Sequence, residues 1–341
     1  MDTKIIEKCS EVCYNSSMSE TIVSPNEVWN LPYPETGSFE VYPDFVTRAK
    51  DGSFTHSEIK EFCDSEQDGI LLERDLLERI TDDRRAIIEK ATFHEVSEWY
   101  EGRQDSAHQV NFGRLTLLSS AGREVVTDVA IKPFLIWRRG ADNEAAAMIK
   151  MPQTTGINSF ELLGMIRIDG KVAVVSRFEE QVTSLDNLEW NLGIDTVFRE
   201  SISVVDALQK CALTLARIHQ VGMVHNDAQI KNMAVVTEAD GTCKVRLIDL
   251  ENAKWRNTKD PIDRQKFLDD VHSDVSALVG SLLKKGLWRD AGYSDKARAI
   301  QAVFTEPYLS FLRHPGNKDQ VYDFELHNEV EDRVEDVLEQ I

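Results

Sequence analysis

The chain has 341 residues, 42% of them apolar, which is enough for a buried core in each of two lobes and excludes disorder throughout. Its 39 basic and 59 acidic residues give a net charge of -20, which repels polyanions and argues against broad binding to nucleic acid or to anionic membranes. The five cysteines, Cys9, Cys13, Cys63, Cys211 and Cys243, are odd in number and scattered, so they do not form a disulfide framework and point to a reducing compartment.

The first residues, Met1 to Lys8, lack the basic, then apolar, then small-residue order of a secretory signal, and no segment reaches the length of a membrane span. A cytoplasmic protein is expected. Residues 1–92 carry no catalytic pattern. Pro25, Pro32, Pro34 and Pro43 interrupt any long element there, and only Ile70 to Ile88, with apolar residues near helical spacing, looks firmly structured. This part is expected to be an N-terminal extension or cap. From Phe93 the pattern turns to strands. Leu115–Ser119 and Val125–Phe134 flank the turn Ala121-Gly122-Arg123, and Leu162–Ile168 and Val172–Arg177 flank Asp169-Gly170. Between these two hairpins, Ala141–Met151 reads as a helix.

Phe198 to His219 places Ile202, Val205, Leu208, Ala212, Leu215 and His219 on one helical face, which makes it a core helix. It runs into Val224-His225-Asn226-Asp227-Ala228-Gln229-Ile230-Lys231-Asn232. Met233–Val236 and Lys244–Ile248 then flank the turn Asp240-Gly241, and Asp249 closes the apolar strand. An acid five positions before an amide, followed by a second acid at a strand end, is what a magnesium-nucleotide site requires: one base and two hard oxygen ligands. From about Val271 the chain is helical. Its tail, with Val330, Val334, Val337, Leu338 and Ile341, is expected to dock an amphipathic acidic helix on its own lobe.

Four ordered signals, Val129-Ala130-Ile131-Lys132, Asn143-Glu144, His225-x-Asp227-x-x-x-x-Asn232 and Ile248-Asp249, resemble the protein-kinase-like superfamily over roughly residues 93–290. The resemblance implies an α+β bilobal fold, with an antiparallel-sheet N-lobe at 93–180 and a mainly helical C-lobe at 181–341. It implies ATP and Mg2+ as cofactors. Asp227, Lys231 and His225 take catalytic positions, Lys132, Glu144, Ala130 and Gly113 hold the nucleotide, and Asn232 and Asp249 hold the metal. Ser273-Asp274 resembles the start of the long helix whose Asp ties down the catalytic loop. Asn111-Phe112-Gly113 resembles only the end of the glycine-rich loop, because His108 and Val110 stand where its first two glycines fall. Ser106 and His108 are the other groups there that could grip phosphate.

The branch of the superfamily is left open by the residues. Asn226 stands where many protein kinases keep an Arg, Asp249-Leu250-Glu251 replaces Asp-Phe-Gly, and no Ala-Pro-Glu follows. Ile248-Asp249-Leu250-Glu251-Asn252-Ala253 looks more like the antibiotic, choline and lipopolysaccharide-sugar phosphotransferases, whereas Val-Ala-Ile-Lys and Lys231 look protein-kinase-like. The expected partners are ATP and an acceptor hydroxyl, on a small molecule or a protein, with no nucleic acid and a monomeric chain. The alternatives are a pseudokinase and a nucleotide-binding interaction module.

Overall fold

Alternation of buried and open residues, rather than length, marks the strands of the first lobe. In β5 (Asn111–Ser119) every second residue from Asn111 to Ser119 is buried, the period-2 signature of a strand with one face on a core. It turns into β6 (Glu124–Phe134) through Gly122, whose φ of 75° supplies the left-handed step of the turn, closed by Gly122 N donating to Ser119 O at 2.8 Å. The computed structural model describes residues 39–41, 43, 45–48, 54–73, 76, 88–96, 110–134, 140–157, 159–168, 171–179, 182–185, 204–237, 243–290, 292–313 and 324–340. The expected turns at Asp169-Gly170 and Asp240-Gly241, the residues Ser106 and His108, and Phe198 to Ser203 lie outside them, as do Cys9 and Cys13.

The sheet has eight strands in the order β1-β4-β5-β6-β8-β7-β3-β2. Here β1 is Phe39–Val41, β2 Phe45–Arg48, β3 Gly69–Leu72, β4 Ile88–Glu95, β7 Leu162–Ile168 and β8 Lys171–Arg177. All neighbours run antiparallel except β2 and β3. Residues 36–341 form one compact unit, so the sheet reaches well before the boundary expected at residue 92, which falls inside β4. The helical spacing read over Ile70 to Ile88 gives way to strand at both ends, while Leu76 between them is helical and residues 74–75 and 77–87 lie outside those described. Ile70, Leu71 and Leu72 are fully buried in β3, and Ile88 opens β4. A short apolar run sealed on both faces has no period of its own, so strand and helix look alike in it.

Two helices pack on this sheet. Helix α1 (His56–Asp64) begins with a capping box: Thr55 Oγ1 accepts from Glu58 N at 3.2 Å and Glu58 Oε2 accepts from Thr55 N at 2.8 Å. It buries Ile59 and Phe62, and the Arg167 guanidinium on β7 donates to the carbonyls of Phe62 and Cys63 at its end. Helix α2 (Ala141–Thr155) follows β6 and buries Glu144, Ala145, Ala147, Met148 and Met151.

The second lobe starts with β9 (Val182–Ser184) and the core helix α3 (Val204–Gln220), whose buried face carries Leu208, Ala212, Leu215 and His219. It continues through β10 (Met223–Val224), β11 (Met233–Thr237), β12 (Cys243–Leu247) and β13 (Lys254–Trp255). Strands β9, β11 and β12 form one small sheet and β10 with β13 another. Helix α4 (Pro261–Lys285) is capped by Asp260, which accepts from Ile262 N and Asp263 N, and it carries Pro at its first position. The long helix therefore starts ahead of Ser273, and Asp274 sits in its interior, 1% exposed. Short helices α5 (Leu287–Asp290) and α6 (Lys296–Ile300) and a π turn (Gln301–Thr305) lead to α7 (Glu306–Arg313). Helix α8 (Phe324–Glu339) docks as expected, burying Leu326, Val330, Val334 and Val337, with Arg264 Nε of α4 donating to Glu329 Oε2 at 2.8 Å.

Candidate active site

Strand β6 carries Lys132 across the sheet to the start of α2. Lys132 is only 9% exposed, which for an ammonium demands compensation. Its Nζ donates to Glu144 Oε2 at 2.6 Å and to Asp249 Oδ1 at 2.5 Å, so two carboxylates from different lobes bracket one cation. Burial opposes the charge on Lys132, but the two carboxylates outweigh it and hold its pKa above the ordinary lysine value. Burial pushes the Glu144 carboxyl up while the lysine pulls it back. The expected Lys132–Glu144 pair is thus formed although only twelve positions separate the two residues, because α2 begins directly over the end of β6.

The loop after β10 is held from several sides. His225 N donates to Asp274 Oδ2 at 2.7 Å, and His225 Nε2 donates to Ile248 O at 3.0 Å. Asn226 adopts a left-handed backbone, φ 62°, and its Nδ2 donates to Asn252 O at 2.9 Å. The Asp227 carboxylate accepts from Gln229 Nε2 at 2.7 Å on Oδ1 and from Asn232 Nδ2 at 2.9 Å on Oδ2. Lys231 Nζ stands 3.7 Å from the same Oδ2 with half its side chain in solvent. Asn232 Nδ2 also donates to Asp227 O at 2.9 Å, and a 3-10 turn, Ile230–Asn232, delivers this buried amide to the start of β11.

Asp249 leaves β12 in the left-handed region, φ 59° and ψ 54°. A non-glycine residue there stores about 1–2 kcal/mol of strain, offset by the bonds that fix it. Next comes a second 3-10 turn, Leu250–Asn252, docked on the start of α2. Asn143 Nδ2 donates to Glu251 O at 3.2 Å, and a Cβ placed on Gly140 would meet the Glu251 side chain at 3.2 Å. The segment then pairs through β13 with β10, Trp255 opposite Met223 and Lys254 opposite Val224, before α4 begins.

The structure thus forms two side-chain clusters, Lys132 with Glu144 and Asp249, and Asp227 with Lys231 and Asn232, on segments tied by Ile248 N donating to Asn232 O at 3.0 Å. Ala130 lies two residues before Lys132, half-buried, opposite Phe112 of β5 and Ser176 of β8. Gly113 and His225 have further structural roles. Gly113 lies within β5 and pairs with Val129. A Cβ there would stand 2.2 Å from His94 O and 2.7 Å from the Phe93 ring, so strand packing requires the glycine. His225 is fully buried and its ring holds the loop to Ile248. Sequence reasoning missed Gln229, whose contact with Asp227 had the plain signal of an amide two positions from the acid.

As a metal site, the donors are one carboxylate, Asp249, and one amide, Asn232, whose Nδ2 is turned to Asp227 so that Oδ1 remains as its acceptor. Among the described residues no group of three or more His, Cys, Asp and Glu forms a self-sufficient metal centre. Two hard oxygens suit magnesium, which keeps waters and takes phosphate oxygens as further ligands.

Residues 186–282, the span that contains Asp227, Asn232, Asp249 and Asp274, match the sequence model of the lipopolysaccharide kinase (Kdo/WaaP) family. The protein is an atypical kinase of the protein-kinase-like superfamily. The matched part of this kinase leaves out β6 and α2, and with them Lys132 and Glu144. A solved structure described as WaaP in complex with acyl carrier protein is similar at 20% identity with a TM-score of 0.36, covering 74% of this chain and 99% of that one. No curated protein matches the chain. Among the described residues no helix is long and apolar enough to cross a membrane.

Proposed function

We propose that this kinase transfers the γ-phosphate of ATP, in a magnesium-dependent reaction, to a hydroxyl of a sugar-bearing small molecule or glycolipid. The observation that carries the reading is Lys132 clamped between Glu144 and Asp249 at 2.6 and 2.5 Å, with Asp227 and Asn232 bonded to each other on the adjoining loop. Phosphoryl transfer asks a protein mainly for positioning and for charge placed in advance. A cationic Lys132 meets the nucleotide phosphates, and Glu144 keeps it aimed. Ala130, small and half-buried, leaves room for the base. Asn232 and Asp249 would hold magnesium, which when bound neutralises the phosphate charge that develops in transfer. Gln229 and Asn232 fix both oxygens of Asp227, so its carboxylate is oriented before an acceptor arrives, as a group must be that aligns a hydroxyl and takes its proton.

The connection between Asp249 and α4 supports this kind of acceptor. Residues 250–260 are used up by a 3-10 turn, by β13 and by the cap of α4, leaving no length for the ledge on which a peptide substrate is laid. The match to lipopolysaccharide kinases favours a sugar hydroxyl. The test is purified protein with labelled ATP and magnesium, offered small-molecule, glycolipid and protein fractions separately. Label is expected in the sugar-bearing fractions and only with magnesium; label confined to protein would overturn the acceptor reading, and none in any fraction the reaction itself.

A further inference from the structure

Beneath the catalytic loop runs a line of buried hydrogen bonds that ends far from it in sequence. The Tyr308 hydroxyl on α7 is 2.5 Å from His219 Nδ1 on α3, and His219 Nε2 is 3.2 Å from Asp274 Oδ2 on α4. That same oxygen accepts the backbone N–H of His225 at 2.7 Å. Tyr308, His219 and His225 are 0% exposed and Asp274 is 1% exposed, so no bond in the line is shared with solvent. The other carboxylate oxygen, Asp274 Oδ1, has no hydrogen-bond partner among the described residues. One oxygen therefore carries both bonds, and the direction in which Asp274 points depends on His219.

For a neutral His219 the roles along the line follow from valence. A carboxylate accepts, so His219 Nε2 donates to it, and a neutral imidazole then has only a lone pair at Nδ1. Tyr308 fills that acceptor with its O–H. The phenol keeps its proton, because burial and the Asp274 charge raise its pKa well above the usual tyrosine value. The ring is held in place by edge contacts with Phe267 and Tyr308, centroids 6.3 and 5.9 Å away. The π turn ahead of α7 inserts one residue and so rotates the following helix by about 100°. Its opened carbonyl at Ala302 is satisfied by Gln209 Nε2 at 3.1 Å.

We propose that Tyr308 is a positioning residue of the transfer site: its hydroxyl selects the His219 tautomer that aims Asp274, and Asp274 sets the backbone of His225, two residues before Asp227. This rests on the function proposed above for Asp227. It differs from the expected tie between Asp274 and the loop in placing the last control on α7.

The test combines nitrogen NMR of 15N-histidine protein, amide exchange at His225, and kinetics. In the wild type, His219 is expected as the neutral tautomer protonated at Nε2. Tyr308→Phe is expected to shift the His219 signals, speed His225 exchange and lower kcat about tenfold, with KM for ATP within about twofold. Finding wild-type His219 as an imidazolium or protonated at Nδ1 overturns the proposal, and this measurement stands even if the variant does not fold. So does a folded Tyr308→Phe whose His225 exchange and kcat match the wild type. The imidazole and amide signals are read with or without turnover, so failure of the transfer reading appears separately, as an inactive wild type.

Discussion

At the scale of single residues the site is built from charges that would be costly if left alone. Lys132 and Glu144 are buried, and Asp249 is drawn to them at the cost of a left-handed backbone. Asp227 differs, being partly open and held by two neutral amides. Different substitutions should therefore fail differently. Asp227→Asn should leave ATP binding within about twofold while lowering kcat roughly 10²–10⁴-fold, because it removes the proposed proton acceptor and keeps the shape. Asp249→Asn should instead abolish the magnesium dependence of nucleotide binding, read by titration calorimetry with and without the metal; equal loss of binding in both variants would defeat the separate roles. Cys63 sits in the last turn of α1, where burial, helped by the charge of Asp142, pushes its thiol up to about 12. It should resist alkylation at pH 8 in the native protein and react once the chain is unfolded. Rapid native labelling at Cys63 would show that this end of α1 opens freely.

Among elements, β5 offers the sharpest test, since two roles compete for Gly113. Its built Cβ would collide with His94 O and the Phe93 ring of β4, so Gly113→Ala should destabilise the fold by about 1–3 kcal/mol in denaturant titration while KM for ATP stays within about twofold. A large rise in KM at unchanged stability would restore the glycine to phosphate binding. The same element explains what the sequence could reveal. Strand β6 with Val129 to Lys132, the β5–β6 turn at Gly122 and helices α2 and α3 were legible because period 2, a turn glycine and period 3.6 are local signals. The strands at Phe39–Arg48 and Gly69–Leu72 were not. Their pairing is non-local, with β2 parallel to β3 and β3 against β7, and β3 is sealed on both faces. The start of α4 carries a strong helix-start signal in Asp260-Pro261, but Ser273-Asp274 farther along imitates a cap and competes with it. The Lys132–Glu144 pairing was readable from motif order, whereas the Gln229 contact and the Tyr308 line needed coordinates, since α7 meets α3 across almost ninety positions.

For the molecule as a whole, the lobes share a charged clamp at Lys132 and a second tie where the Arg246 guanidinium of β12 meets the Glu179 carboxylate after β8. The far end is closed by α8, where Arg313 Nε donates to Glu331 Oε1 at 2.7 Å and His327 Nε2 lies 2.8 Å from the same oxygen. The hydrogen bond from Arg313 holds the Glu331 carboxyl below its ordinary value, against its burial. A lowered folded pKa means stability that is present above the unfolded value, near 4.5, and lost as pH falls through the folded one. Glu331→Gln should therefore lower the melting temperature at pH 7, by an amount consistent with roughly 0–1 kcal/mol because Arg313 is largely in solvent, and the difference should vanish as acid protonates the folded carboxyl. The clamp at the other end has a consequence for regulation. In kinases switched by phosphorylation, a long segment after the metal-binding Asp swings and is pinned by an Arg beside the catalytic base. Here Asn226 occupies that position and its amide is already bonded to Asn252 O, while Asn143 and Gly140 of α2 pack against Glu251 and β13 seals the segment to β10. Nothing in residues 250–260 is left to swing, and Lys132 is already paired with Glu144. Turnover should therefore be unchanged, within about twofold, when the protein is treated with phosphatase, and mass spectrometry of active protein should find no stoichiometric phosphate between Asp249 and Asp274. A phosphate there that raises turnover would mean that the packing of this segment on α2 is one of two states.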